Sequence, residues 1–219
     1  MTGKSFDYLG EKAFFSDRIE EPAPYAWLAD DLPLWIDGFP EVFEGKRILE
    51  IGASEGLIGA LVAERYSPAA YIASDVVPWR MIGIARKGAS LDARLSVIAA
   101  NALSLPHPAD TFDLVICNGA LCHMPGLDVV VSEIARVLRP GGSYLGREPN
   151  FHNPLVARKT LYGPWASPNM VPVYPRQLKE AFQAGGFDVR VSLFWRRFPW
   201  VKGKYFAVSQ KIAARLTAG

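Results

Sequence analysis

The chain has 219 residues, half of them apolar and 21% charged, which suits one folded domain with a sizeable core. Its net charge of +2 gives no electrostatic case for a nucleic-acid partner, and no apolar run approaches the roughly 20 residues that span a bilayer. Two cysteines, Cys117 and Cys122, make neither a disulfide framework nor a CxxC metal pair, so both are expected to pack in the core.

The N-terminal MTGKSFDYLGEKAFF has no apolar stretch leading to a small-residue cleavage site, and a mature, cytoplasmic protein is expected. Residues 1–45 are rich in aromatics and acids, and are expected to form helices capping one end of the fold. Between 46 and 148, short apolar runs alternate with amphipathic stretches. RILEIG (47–52) reads as a buried strand and SEGLIGALVAERY (54–66) as a helix. YIASD (71–75) is a second strand and PWRMIGIARKGA (78–89) a second helix. LSVIAAN (95–101) and FDLVICNG (112–119) are the third and fourth strands. VVVSEIARVLR (129–139) is a helix that Pro140, Gly141 and Gly142 are expected to end, before a fifth strand SYLGRE (143–148). This rhythm predicts an α/β fold: a Rossmann-like, doubly wound, mostly parallel sheet with helices on both faces. Ligands of such sheets bind at the carboxyl ends of the strands.

Residues 149–175 are dense in proline, asparagine and aromatics and read as an irregular insertion on the substrate side. Residues 176–219 then carry a helix (PRQLKEAFQAGGF, opening at Pro175) and an alternating strand (FDVRVSLFW). The segment VKGKYFAVSQKIAARLTAG fits a helix and a closing strand equally well. LFWRRFPWVKGKYF (193–206) interleaves aromatic and basic residues. It reads as an edge strand guarded by cations, with weak peripheral membrane contact as the alternative.

The chemistry gathers at the strand ends. ILEIGASEG (48–56) is a strand running into glycines at 52 and 56, where absent β-carbons let ligand approach the backbone and the next helix directs unpaired N–H groups outward. Ser54 breaks the dinucleotide fingerprint GxGxxG, which argues against a nicotinamide-dependent oxidoreductase. Asp75 ends the second strand, where a carboxylate can accept from both hydroxyls of a ribose or, alternatively, cap the following helix. Asn101 ends the third, where an amide can read an adenine edge. The fourth delivers Asn118, Gly119 and Ala120 to the same rim.

These motifs together resemble the type 11 branch of the class I S-adenosylmethionine (SAM)-dependent methyltransferases over roughly residues 46–148. The family's hhE-h-G-x-G-x-G motif falls on Leu49, Glu50, Ile51, Gly52, Ala53, Ser54, Glu55 and Gly56. Its acid after the second strand falls on Asp75, with Val76 and Met81 where ribose and adenine are usually bordered. Its D-A pair falls on Asn101 and Ala102, its LxH element on Leu121 to His123, and its LRPGG element on Leu138 to Gly142. The resemblance implies SAM as cofactor, held by Glu50, Gly52, Ala53, Ser54, Gly56, Asp75, Val76, Met81, Asn101, Ala102, Asn118 and Gly119. Ser54 in place of the middle glycine is strained if its φ is positive.

SAM carries its own activated methyl group, so the protein must align an acceptor behind it and exclude water. A general base helps where the acceptor is an alcohol. His123, just past the fourth strand, is the first candidate, with packing or capping as its alternative; His152, in the insertion, is the second. His107 reads as a turn residue. Glu148, Asn150 and Asn153 follow the fifth strand, where acceptor-binding groups can lie. The EPN element and aromatic insertion resemble methyltransferases acting on sugars, glycolipids and other small metabolites, with oxygen the expected acceptor atom. A non-catalytic SAM-binding scaffold or regulatory domain is the alternative function.

Overall fold

The computed structural model describes residues 7–17, 36, 42–77, 95–164, 166–197 and 204–213, with side chains of residue 15 and of residues from 190 onward excluded. The helix expected over 78–89, with Met81, and most of 18–41 lie outside the described residues.

Seven strands form one sheet in the order β3-β2-β1-β4-β5-β7-β6. They are β1 (Arg47–Ile51), β2 (Ala70–Asp75), β3 (Leu95–Ala99), β4 (Phe112–Asn118), β5 (Leu138–Pro149), β6 (Asp188–Arg197) and β7 (Lys204–Ala213). The first five are mutually parallel, whereas β7 runs antiparallel between β5 and β6. The strand order reverses between β1 and β4, so the crevice beyond their carboxyl ends is the ligand position of this architecture. Within the ambiguous final segment Lys204–Ala213 is a strand, and residues 193–197 of the basic-aromatic stretch lie in β6 at the sheet edge, while 198–203 and 214–219 lie outside the described residues.

Five helices accompany the sheet among the described residues: α1 (Tyr8–Ser16), α2 (Leu57–Arg65), α3 (Leu127–Val137), α4 (Pro154–Tyr162) and α5 (Pro175–Ala184). None is long and apolar enough to cross a membrane. Strand side chains alternate between faces. On β1 and β4, Ile48, Leu114 and Ile116 join Ile58 and Val62 of α2 in one core. Leu49, Ile51, Val115 and Cys117 join Val130, Ile134 and Phe182 of α3 and α5 in the other. Each such fully buried aliphatic side chain is worth about 1.5–3 kcal/mol of apolar transfer. β4, buried along nearly its whole length, reads as a continuous apolar run because helices cover both faces.

Two boundaries differ from expectation. α3 stops at Val137, before the Pro-Gly-Gly segment, because Asp110 and Thr111 donate their N–H groups to the last carbonyls, at 3.0 Å to Arg136 and 2.9 Å to Val137. The Pro-Gly-Gly segment instead lies within β5, where its pairing with β4 shifts register between Phe112 and Leu114. The insertion is also less irregular than its composition suggests. Asn153 accepts from Leu155 and Val156 N–H groups as the N-cap of α4, and Pro154 at the first helical position needs no hydrogen-bond partner.

Candidate active site

The turn after β1 is built on three left-handed residues, Gly52 (φ 67°), Ser54 (φ 50°) and Gly56 (φ 70°). Ser54 thus adopts the conformation that glycine would take at no steric cost. Two contacts hold it there. Gly56 N–H closes the turn on Ala53 O at 2.7 Å, and Ser54 N–H donates to Asp75 Oδ2 at 2.8 Å. Asp75 Oδ1 accepts from Val77 N–H at 2.9 Å, so this half-buried carboxylate ties the tip of β1 to the tip of β2. Asp75 thus braces the backbone turn, and the helix that the alternative reading has it cap lies outside the described residues. Val76 follows Asp75, half-buried, and Ala53 is buried against α2.

Gly52 has a packing role that the sequence does not show. A β-carbon there would collide with the β-carbon of Ala120, so its missing side chain makes room for the turn after β4. Gly119 is the open one: at φ 66°, nothing lies within 4 Å of where a β-carbon would stand.

Glu50 faces away from the rim. Its side chain is on the α2 side of β1, 2% exposed, where Oε2 accepts from Tyr71 Oη at 2.7 Å. Burial, with the Asp75 charge adding to it and the hydrogen bonds from Tyr71 and the Gly59 backbone opposing, pushes its carboxyl up to about 8. Glu50 is therefore a neutral acid at pH 7 that joins β1 to β2.

At the next two strand ends, Asn101 is half-buried and its Oδ1 accepts from Leu103 N–H at 3.0 Å, an Asx turn; Ala102 is buried beside it. Asn118 Oδ1 accepts from Arg147 Nε at 3.0 Å, and Gly119 N–H donates to Arg147 O at 2.6 Å. These bonds lock the tip of β4 to β5.

Glu148 does not line an acceptor pocket. It is 2% exposed beneath the 3₁₀ turn Leu121–His123, where Oε1 accepts from Ala120 N–H at 3.1 Å and Leu121 N–H at 3.0 Å, and Oε2 from Cys122 N–H at 3.3 Å. Burial raises its carboxyl to about 7 against the lowering effect of these donors and of His123. It satisfies the orphan donors of a turn that carries His123. Cys117 and Cys122 are buried around it, and burial with the Glu148 charge holds both thiols well above their ordinary range.

His123 is the hub of a contact set that sequence spacing does not reveal. Its Nδ1 lies 2.7 Å from Ser167 Oγ and 3.2 Å from Glu11 Oε1, with the histidine side chain 14% exposed. Glu11, on α1, is 3% exposed, and its Oε2 accepts from Asn169 Nδ2 at 2.8 Å and Asn169 N–H at 3.3 Å. Asn169, fully buried, also pairs with the Asp7 backbone in both directions at 2.9 Å. α1 is thereby docked on the loop after α4 and delivers a carboxylate to His123. Glu11, Ser167 and Asn169 lie 112, 44 and, from Glu11 to Asn169, 158 residues apart from their partners, so no local pattern could have flagged them. His152 is exposed and lies tilted against Tyr174 with ring centroids 5.0 Å apart, while Asn150 Oδ1 accepts its backbone N–H. The structure does not bring it to His123's contact set.

The chain is similar in sequence and in fold to known proteins. Residues 48–142 match the family described as methyltransferase domain. The chain is 38% identical over 103 residues to a fatty-acid O-methyltransferase of Mycolicibacterium smegmatis, covering 47% of this chain and 36% of the relative. It is 33% identical over 111 residues to 24-methylenesterol C-methyltransferase 2 of Arabidopsis thaliana, covering 49% and 30%. The matched region thus spans about a third of these relatives' length. A geranyl diphosphate methyltransferase solved with GPP and sinefungin superposes with a TM-score of 0.68 at 14% identity, covering 86% of this chain and 77% of that one. At that identity the likeness is one of fold.

Proposed function

We propose that this chain, a class I SAM-dependent methyltransferase by its domain match and its strand order, transfers a methyl group to a hydroxyl oxygen of a small-molecule acceptor. The observation that carries the reading is the bond from Ser54 N–H to Asp75 Oδ2 at 2.8 Å. It draws the positive-φ turn after β1 and the acid after β2 into one rim at the reversal of strand order.

The residues present fit the cofactor. Asp75 Oδ2 accepts from Ser54 N–H and Oδ1 from Val77 N–H, which holds the carboxylate at the end of β2, where an acid can accept from ribose hydroxyls. The backbone at Gly119 is open where a side chain would stand, which suits close approach of a ligand after β4. In this reading the 52–56 turn borders the methionine part, Asp75 and Val76 the ribose, Asn101 and Ala102 the adenine, and Asn118 and Gly119 the far side of the rim. Glu50 is removed from the contact set by its burial against Tyr71, and acts through the strand it braces.

When bound, SAM supplies a methyl group already activated on a sulfonium. The chain's own work is to orient the acceptor, exclude water and take up a proton. Glu148 fixes the turn that bears His123, and Gly52 seats that turn against the cofactor side by admitting Ala120. With SAM held at this rim, His123 would take up the proton of the acceptor's hydroxyl as that oxygen is methylated. The relatives' names cover both oxygen and carbon acceptors, and the histidine at the rim favours oxygen. The basic and aromatic residues of the sequence 193–206 suit an amphiphilic acceptor, such as a glycolipid, in this same class.

Calorimetry with SAM, S-adenosylhomocysteine and NAD tests the cofactor; binding of the first two and not the third is expected. Methyl transfer from labelled SAM is then assayed on a panel of fatty acids, sterols, phenols and glycolipids. Binding with no transfer across the panel would favour the scaffold alternative, and preference for NAD would reject the family chemistry.

A further inference from the structure

We propose that Glu11 is a positioning residue for His123, setting which imidazole nitrogen carries the proton, and that α1 is therefore a working part of the active site. The inference rests on the reading of His123 as the base.

The argument begins with donor counting. A carboxylate oxygen only accepts, so the ring nitrogen that faces Glu11 Oε1 at 3.2 Å must carry the hydrogen. Glu11 Oε2 already accepts two N–H groups from Asn169, which holds the carboxylate plane and leaves Oε1 turned toward the ring. Ser167 Oγ, at 2.7 Å from the same nitrogen, shares that hydrogen as a second acceptor. The proton sits on Nδ1, and Nε2 bears the lone pair that a base requires. The Ser167 contact fits either tautomer, because a hydroxyl both donates and accepts. Glu11 removes the ambiguity.

The surroundings are built for this. Glu11 is 3% exposed, and a carboxylate is costly to bury unless it is held by donors. Its three contacts come from two parts of the chain: His123 after β4, and the backbone and side chain of Asn169 in the loop after α4. Asn169 simultaneously grips the Asp7 backbone at the start of α1, so docking of the helix and orientation of the ring are one event. The other carboxylate near His123 is Glu148, which is occupied with the backbone of the turn.

Replacing Glu11 by glutamine makes a sharp test. Asn169 offers two donors at the Oε2 position, so the amide oxygen is selected there and the amide nitrogen is left facing Nδ1. Nδ1 must then accept, and the proton moves to Nε2. Long-range ¹H–¹⁵N spectra of the full chain report this directly. The chain has three histidines, His107, His123 and His152, assignable with single His→Gln variants. In the wild type, neutral His123 is expected with Nδ1 protonated. In Glu11→Gln it is expected to switch to Nε2 protonated, and Asn169→Ala to give a mixture. Nε2 protonated in the wild type, or Nδ1 still protonated in Glu11→Gln with SAM affinity intact, would overturn the proposal. Neither measurement needs an acceptor or a turnover, so failure here is separate from failure of the methyl-transfer reading. Should Glu11→Gln fail to fold, the wild-type and Asn169→Ala spectra still decide.

Discussion

Gly52 and Ala120 meet so closely across the tips of β1 and β4 that a β-carbon on the glycine would overlap the β-carbon of the alanine. The turn after β1 and the turn that ends in His123 are therefore seated against each other. Gly52→Ala carries two costs, about 1–2 kcal/mol for a left-handed alanine and about 1–3 kcal/mol for overpacking. Ala120→Gly in the same chain should return the second cost and not the first. Thermal or urea unfolding of the two single variants and the double variant measures the coupling, expected to exceed roughly 0.5 kcal/mol. Additive effects would mean the two residues do not share a contact.

Asp75 braces the β1–β2 tips, and the proposed function gives the same carboxylate the ribose of SAM to hold; substitution separates the two. Asp75→Asn keeps an oxygen for Ser54 N–H or Val77 N–H but loses the charge that strengthens bonds to ribose hydroxyls. SAM affinity should fall by about 1.5–3 kcal/mol, roughly 10- to 150-fold, with the melting temperature changed little. Calorimetry reads both ligands. Undiminished affinity would leave Asp75 with the turn alone.

Much of this site was legible in the sequence because its main parts are local. The positive-φ turn shows as Gly52, Ser54 and Gly56 after an apolar strand, and Asp75 shows as an acid at the end of the next. Asn153 before Pro154 marks a helix start inside the insertion, yet the surrounding proline and asparagine masked it. Burial was the hidden quantity. Glu50 and Glu148 look alike in a string of letters as acids at strand ends. Only the fold reveals that one faces Tyr71 and the other sits beneath backbone donors. The partners of His123 were hidden for a different reason: they are brought together by docking of α1, which no spacing encodes.

The buried acids should make stability fall as pH rises. Glu50 holds its proton to about 8 in the folded chain against an ordinary value of 4.5, and faces the Tyr71 hydroxyl with Asp75 nearby. The folded state binds the extra proton between those values. Its contribution is complete below about 4.5, declines with increasing pH and is gone above about 8. Glu148 adds a second decline that ends near 7. Each group contributes a slope of at most roughly 1.4 kcal/mol per pH unit. Glu50→Gln preserves an acceptor for Tyr71 and abolishes one decline, so its urea midpoint should fall less than the wild type's between pH 5 and 8.5. Parallel curves would place the proton elsewhere.

Catalysis offers the last separation, between a base, its positioning partner and a packing contact. His123→Ala removes the proton acceptor and should lower kcat on a hydroxyl acceptor by roughly 10²-fold or more, with SAM affinity unchanged. Glu11→Gln should approach the same loss in kcat with KM for SAM unaltered, because a ring protonated on Nε2 cannot accept there. Glu11→Asp keeps the charge but withdraws it by one methylene from a nitrogen now at 3.2 Å, so partial activity is expected. The order wild type, Asp, Gln is the signature of a charge that sets a tautomer. A contact that merely packed α1 would instead rank the variants by melting temperature and leave kcat of the folded fraction alike. Normal turnover in His123→Ala would remove the base itself and point to an acceptor, such as a carboxylate, that has no proton to give up.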